Sequence, residues 1–280
     1  MNIRTAIIKA KHFLRSNDIR SSGLDCELLM SQVLKKDRNY ILLNLDKNLK
    51  KKSFNNFQNL IKERSKGKPV AYIIKKKEFW DYEFKIKEGV LIPRPDTELI
   101  VEQALNFTQN KSKLRILDIG TGSGCIILSI LKERKNYKGI GIDINKKCLD
   151  MCKINTSKLN LTNRVKFFKS DIDNFKDAKY DLIISNPPYI KKIDLKCLEK
   201  DIIDFESKSS LYGGIDGLSE IRKIIKKSSE LIKINGKLIL EIAHDQKFNV
   251  KRLLKDRGFY VNKVFKDLAN NDRCIVSTKI

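Results

Sequence analysis

The chain has 280 residues, 41% of them hydrophobic and 8% aromatic, and 58 Lys and Arg against 34 Asp and Glu give a formal net charge of +24. That length exceeds one average domain, so a sizeable core with a second, smaller unit is expected, and no run approaches the roughly 18 uninterrupted apolar residues of a membrane span. Arg4, Lys9 and Lys11 are interleaved with apolar residues, which is not the order of a secretory signal; together these features predict a soluble, cytoplasmic chain without membrane partners.

The six cysteines are scattered without paired C-x2-C knuckles and there are only two histidines, which argues against a zinc site and for reduced thiols. Most of the basic excess is lysine spread along the whole chain. It leaves RNA or ribosome contact open, but a general compositional bias explains it equally well, and nucleic acid is not a required partner.

From Ile3 to about Lys68 apolar residues recur at helical spacing: Ile3, Ile7, Ala10, Phe13 and Leu14, then Leu24, Leu28, Leu29 and Val33, then Phe54, Phe57, Leu60 and Ile61. A small helical domain is predicted over residues 1–74, its helices separated by Ser21-Ser22-Gly23 and by the Lys50 to Ser53 run, and closed by Gly67-Lys68-Pro69. Over residues 75–92 the period changes to two, with Phe84 and Ile86 alternating with Lys85 and Lys87, which predicts a β-hairpin linker.

Residues 93–280 alternate strand-like and helix-like runs, with candidate strands at 114–119, 138–143, 165–169, 180–185, 237–242, 259–265 and 274–278. Only a short turn around Asn270-Asn271-Asp272 joins the last two, too little for a crossover helix, so they pair antiparallel. The expected fold is α/β: a seven-stranded, Rossmann-like sheet of the class I methyltransferase kind, with a small N-terminal helical domain and a β-hairpin linker.

Ile116 to Gly124 reads as an apolar strand entering a glycine-rich turn, Gly120-Thr121-Gly122-Ser123-Gly124, that opens a helix over residues 125–133. Glycine suits a place where a ligand must approach the backbone closely. Asp143 ends the next strand, where a carboxylate accepts both ribose hydroxyls of a bound nucleoside; that fits either NAD or S-adenosylmethionine. Asp118, just ahead of the glycines, tips the choice to S-adenosylmethionine, by supporting the turn or meeting the amino-acid end of the cofactor. Asp171 and Ile172, after the third strand, lie where the adenine amino group and ring face are contacted.

The fourth strand runs into Asn186-Pro187-Pro188-Tyr189 at the carboxyl edge of the sheet. Two prolines fix the backbone and remove donors, leaving rigid carbonyl acceptors. The group they hold is therefore a donor, such as a planar NH2: the Asn186 side-chain oxygen takes one N–H, the Pro187 carbonyl the other, and Tyr189 stacks on the flat substrate. Asn186, Pro187 and Tyr189 are the candidate catalytic residues, with Asn186 also reaching the cofactor and Pro188 completing the substrate pocket.

These residues resemble the PrmC/HemK release factor glutamine methyltransferases. The resemblance also covers Leu24-Asp25-Cys26-Glu27-Leu28-Leu29, Gly67 to Tyr72, Glu78-Phe79-Trp80, Pro93-Arg94-Pro95-Asp96-Thr97-Glu98, Gly213-Gly214-Ile215-Asp216-Gly217-Leu218, Lys266-Asp267-Leu268 and Asp272-Arg273. It implies methylation of the glutamine amide nitrogen (N5) in the Gly-Gly-Gln motif of peptide chain release factors, supporting translation termination, with the helical domain as a platform for that protein partner and the chain a monomer. It also implies Gly120 to Gly124, Asp143 and Asn186 as cofactor contacts. The sequence departs from the family at Lys75 and Ala243, where the family has glycine, at Ile172, often Trp, and over Ser207-Lys208-Ser209, where it has a proline-containing stretch. The alternative is an amino methyltransferase of adenine or guanine in DNA or RNA, which the same acceptor motif would serve with a flipped base.

Overall fold

A computed structural model describes residues 1–280, apart from the side chain of Lys200. Contacts divide the chain into two units, Met1–Lys76 with Glu199–Phe205, and Lys77–Leu198 with Glu206–Ile280.

The first unit holds α1 (Ile3–Arg15), α2 (Ser22–Leu34), α3 (Arg38–Leu43), α4 (Lys51–Ser65) and α5 (Val70–Ile74). Asn2 caps α1, its side-chain oxygen accepting from the Thr5 amide at 2.9 Å. The helices pack Ile3, Ala6, Ala10, Leu14, Cys26, Leu29, Met30, Ile41, Phe57 and Ile61 into one apolar cluster. Two residues expected in that core are exposed instead, Phe13 at 46% and Leu24 at 47%. The reason in α2 is electrostatic: Asp25 turns inward, where its Oδ2 takes Arg64 Nε at 2.6 Å and the Ser21 hydroxyl at 2.7 Å. Its helical neighbours Cys26 and Leu29 face inward with it, and Leu24 is carried outward.

The linker is a hairpin of β1 (Lys76–Phe79) and β2 (Tyr82–Lys85). Trp80 sits in its turn at φ 54°, a left-handed conformation unfavourable for a bulky side chain. Two carboxylates hold it: the Trp80 amide donates to Glu98 Oε1 at 2.8 Å and its indole to Glu133 Oε1 at 3.2 Å.

In the second unit β3 (Arg115–Ile119), β4 (Lys138–Asp143), β5 (Val165–Lys169), β6 (Tyr180–Ser185), β7 (Ile232–Glu241), β8 (Phe259–Lys266) and β9 (Asp272–Lys279) form one sheet in the order β5-β4-β3-β6-β7-β9-β8. β3 pairs in parallel with β4 and β6, whereas β9 is antiparallel to both β7 and β8. Helices α6 (Glu98–Phe107), α7 (Cys125–Glu133), α8 (Lys146–Lys158), α10 (Ser219–Leu231) and α11 (Lys247–Asp256) connect the strands, while the short α9 (Lys200–Phe205) belongs to the first unit. One core cluster joins Leu117, Ile119 and Ile183 of the sheet to Ile221 and Ile225 of α10 and Leu254 of α11. Successive strands leave β3 in one direction through β4 and β5 and in the other through β6 and β7, so the chain reverses course at β3 and β6. Open α/β sheets bind ligands outside the carboxyl ends of the strands at such a point.

Candidate active site

The turn after β3 is built of backbone that only glycine adopts comfortably: Gly120, Gly122 and Gly124 have φ of 70°, 57° and 82°. A Cβ built on Gly120 would have no atom within 4 Å, so this part of the turn faces open space. The side chains between the glycines point inward. Thr121 is 3% and Ser123 2% exposed, and the Thr121 hydroxyl donates to Asp118 Oδ2 at 2.7 Å, so the turn offers a ligand its backbone rather than its side chains.

Asp118 is fully buried, and its Oδ1 has no hydrogen-bond partner among the described residues. Burial is the main reason its pKa is pushed up to about 7, opposed in part by the Thr121 hydroxyl. Asp143 accepts the Gly122 amide on Oδ2 at 3.0 Å and the Asn145 amide on Oδ1 at 2.8 Å. Burial raises its pKa while these two amides oppose the rise, and each oxygen keeps a lone pair for a further donor. A glycine cradle open at Gly120, an Asp118 oxygen without a partner among the described residues and the Asp143 carboxylate beside the turn fit a cationic nucleoside ligand such as S-adenosylmethionine. Asp171 is half-buried and accepts the Asp173 amide at 2.9 Å. Ile172 is 6% exposed and packs in the sheet's core with Ile119, Ile142 and Phe175.

Parallel pairing sets Ile119 opposite Ser185, and the Ser185 hydroxyl donates to the Ile119 carbonyl at 2.7 Å. The next residues, Gly120 and Asn186, therefore leave the sheet side by side. Asn186 is half-buried, its Nδ2 donates to Thr97 Oγ1 at 3.1 Å, and its Oδ1 takes no hydrogen bond among the described residues. The Pro187 carbonyl is likewise without a hydrogen bond among them. Tyr189 donates its hydroxyl to Glu241 Oε1 at 3.0 Å, and burial, then the nearby Glu241 carboxylate, raises its pKa. Its ring is thereby anchored at the hydroxyl end.

Several supporting residues carry no local signal in the sequence. Gln246, 1% exposed, donates to the carbonyls of Tyr189 at 3.2 Å and Gly217 at 3.0 Å and accepts the Ala243 amide at 3.0 Å. It clamps the acceptor segment to the glycine-rich loop over residues 213–218. That loop lies directly against the acceptor backbone: a Cβ on Gly213 would come within 2.7 Å of Tyr189 Cα, and one on Gly217 within 2.4 Å of the Tyr189 carbonyl. Asn155, fully buried on α8, donates to the Ser123 carbonyl at 2.9 Å and ties the cofactor turn to Lys85 of the hairpin.

The Pro93 to Glu98 run is a set of separate ties. Arg94 pairs with Glu206 at 2.6 Å, Thr97 meets Asn186, Glu98 holds the Trp80 amide, and Asp96 lies 3.8 Å from Arg273. Arg273 in turn bonds Asp267 through Nε and Nη2 at 3.1 and 3.0 Å.

The departures from the family pattern differ in consequence. Lys75 caps α5 in the left-handed region at φ 59°, where a glycine would cost nothing sterically. Ala243 is not among the residues of positive φ, so its methyl group adds no backbone strain. Ser207 and Ser209 bond each other through their hydroxyls at 2.8 Å, beside a 3-10 turn at Lys208–Ser210.

A sequence profile described as the PrmC N-terminal domain matches residues 5–74, and one described as a methyltransferase domain matches residues 110–275. The release factor glutamine methyltransferase of Buchnera aphidicola subsp. Acyrthosiphon pisum is 39% identical over 279 residues, which is 100% of this chain and 99% of that protein. The protein of the same name from Clostridium botulinum is also 39% identical, over 282 residues and 100% of both chains. Among solved structures, a methyltransferase from Pyrococcus furiosus superposes with a TM-score of 0.53 at 16% identity, covering 80% of this chain and 98% of that one, a likeness of fold alone.

Proposed function

The chain belongs to the release factor glutamine methyltransferase family, and from that membership we propose that it methylates the side-chain amide nitrogen of the glutamine in the Gly-Gly-Gln motif of release factors, with Asn186, Pro187 and Tyr189 doing the chemistry. Its cofactor is S-adenosylmethionine, which when bound supplies an electrophilic methyl group on a sulfonium.

In this reading the backbone of the Gly120 to Gly124 turn receives the cofactor. Asp143 takes the ribose hydroxyls, Asp118 balances the positive amino-acid end, and Asp171 and the edge of Ile172 meet the adenine. An amide nitrogen is a poor nucleophile because its lone pair is delocalised. Asn186 Oδ1 and the Pro187 carbonyl accept its two N–H bonds, aim the nitrogen and favour the pyramidal, charge-bearing form that develops during transfer. Pro188 keeps the segment rigid and Tyr189 stacks on the flat amide. The methylated nitrogen becomes acidic and sheds one proton without a strong base.

Residues 1–74 serve as the docking platform for the release factor, and the chain acts as a cytoplasmic monomer. No helix among the described residues is long and apolar enough to cross a membrane. The observation that carries the reading is the pairing of Ile119 with Ser185, which puts Gly120 and Asn186 together where the sheet reverses course. Methyl transfer from labelled S-adenosylmethionine to a release factor, to its Gln-to-Ala tip variant and to DNA and RNA tests it. Label confined to the intact release factor is expected; label on nucleic acid alone, or retained on the Ala variant, rejects it.

A further inference from the structure

One short stretch of chain, the turn from β7 into α11, holds Tyr189 at two points. Parallel pairing sets Ser185 opposite Leu240, so Asn186 and Glu241 are the next residues along the two strands. Glu241, buried at the end of β7, accepts the Tyr189 hydroxyl on Oε1 at 3.0 Å, and Gln246 Nε2 donates to the Tyr189 carbonyl at 3.2 Å. The turn itself sets the direction of the Gln246 side chain. The Ala243 amide donates to Oε1 at 3.0 Å, and the Gln246 backbone amide donates to the Ala243 carbonyl at 3.0 Å. With Oε1 committed, Nε2 faces the other way with two N–H bonds, and the carbonyls of Tyr189 and Gly217 take them. Gly217, at φ 76°, leaves no room for a side chain there, since a Cβ would lie 2.7 Å from Gln246 Nε2. Tyr189 also packs, partly buried, against the core of the sheet.

We infer that Glu241 and Gln246 are positioning residues for methyl transfer, together holding the Tyr189 ring and backbone where the ring can lie flat on the acceptor amide. The inference rests on the stacking role proposed above for Tyr189. A tyrosine held only at its backbone can change rotamer, whereas one whose hydroxyl is also tied cannot. The backbone hold matters for a second reason. Pro187, whose carbonyl accepts an N–H of the substrate in that reading, is two residues from Tyr189 along a chain stiffened by Pro188, so a shift of Tyr189 is passed back to it.

The test compares Gln246→Glu, Glu241→Leu, Glu241→Gln, Tyr189→Phe, Tyr189→Ala and Asp245→Ala by kcat on an intact release factor and by S-adenosylmethionine affinity. Gln246→Glu keeps the shape and the bond from Ala243 but sets an oxygen against two carbonyls. It should lose on the order of 10²-fold in kcat with cofactor affinity unchanged, because the misplaced group lies on the acceptor side. Tyr189→Phe and Glu241→Leu should each lose about 10-fold, and the double variant no more than either alone, because both remove the same bond. Glu241→Gln, which keeps an acceptor for the hydroxyl, should stay within about 3-fold of wild type. Asp245 is the control: its partly exposed ion pair with Lys191 lies in the same turn, and Asp245→Ala should keep kcat. Gln246→Glu with wild-type kcat, losses that add in the double variant, Glu241→Gln as impaired as Glu241→Leu, or Asp245→Ala as impaired as Gln246→Glu overturns the inference. So does a loss of kcat matched by an equal loss of cofactor affinity, the mark of a fold merely loosened. Should Gln246→Glu not fold, the Tyr189 and Glu241 variants decide alone. Tyr189→Ala separates the two claims: if it is impaired while the Glu241 and Gln246 variants are not, only the positioning role falls, whereas a fully active Tyr189→Ala removes the stacking role and the inference with it.

Discussion

Replacing Asn155 with Ala should loosen the hairpin and the cofactor turn together. Its side chain makes three hydrogen bonds, donating to Lys85 O at 3.1 Å and Ser123 O at 2.9 Å and accepting from Lys85 N at 2.7 Å. Lys85 is exposed, so water can replace much of what its backbone loses, about 1 kcal/mol for each bond. The Ser123 carbonyl belongs to a residue only 2% exposed, and leaving it unpaired costs roughly 1–3 kcal/mol more. The loss is about 3–5 kcal/mol in all, large against the stability of an ordinary domain. Trp80, the one tryptophan in the chain, lies in the hairpin turn, so its fluorescence in a urea titration reports this region directly. Asn155→Ala should move that transition to lower urea and weaken S-adenosylmethionine binding measured by calorimetry. A loss under about 1 kcal/mol with unchanged cofactor affinity would refute the tie between hairpin and turn.

Arg64→Met should destabilise the N-terminal helical unit by about 3–5 kcal/mol, because it strands Asp25 in the interior without its partner at 2.6 Å; an unchanged thermal midpoint argues against a buried pair. Lys75→Gly should stabilise the chain by up to about 1 kcal/mol by relieving the left-handed cap at φ 59°, and a lower melting temperature would contradict that geometry. The Asp118 pKa, raised from 3.8 to about 7, means the folded apo chain holds a proton the unfolded chain does not; its stability should therefore fall as pH rises from about 4 to 7, and Asp118→Asn should flatten that slope in thermal melts. A cationic ligand favours the ionised carboxylate, so S-adenosylmethionine affinity should rise with pH up to about 7 in the wild type and not in Asp118→Asn.

The parts of the fold that depend on local pattern could be read from the residues. Strands 138–143, 165–169 and 180–185 and helix 125–133 fall where the apolar runs and the glycine turn put them; burial on both faces of the parallel sheet leaves its apolar signature in 180–185, whereas 165–169 is an edge strand and mostly exposed. β7 begins five residues earlier than expected, because Lys233, Asn235 and Gly236 look like a turn although Tyr180 pairs with Ile232. Phe13 and Leu24 show the limit of periodicity: helical spacing gives a face, but a buried ion pair at Asp25 rotated α2 away from it.

At the site, Gly120 to Gly124, Asp118, Asp143 and Asn186 to Tyr189 carry motifs whose chemistry is local. Thr97, Asn155, Glu241 and Gln246 do not, because each works through a partner distant in the chain: Asn186 lies 89 residues from Thr97, and Lys85 lies 70 from Asn155. A single polar residue on a helix or at a strand end reads as solvated until the fold brings its partner to it. The inward turn of Thr121 and Ser123 was equally hidden, since a glycine-rich motif specifies the path of the backbone and not which side chains line its outer face.

The most direct measurement compares wild type with Asn186→Ala for transfer of labelled methyl to a release factor, with cofactor binding followed in parallel. The variant should bind S-adenosylmethionine nearly as well and transfer essentially nothing, with mass spectrometry placing the wild-type label on the glutamine of the Gly-Gly-Gln tip. Undiminished turnover in Asn186→Ala, or a label located on any other residue, would contradict the account.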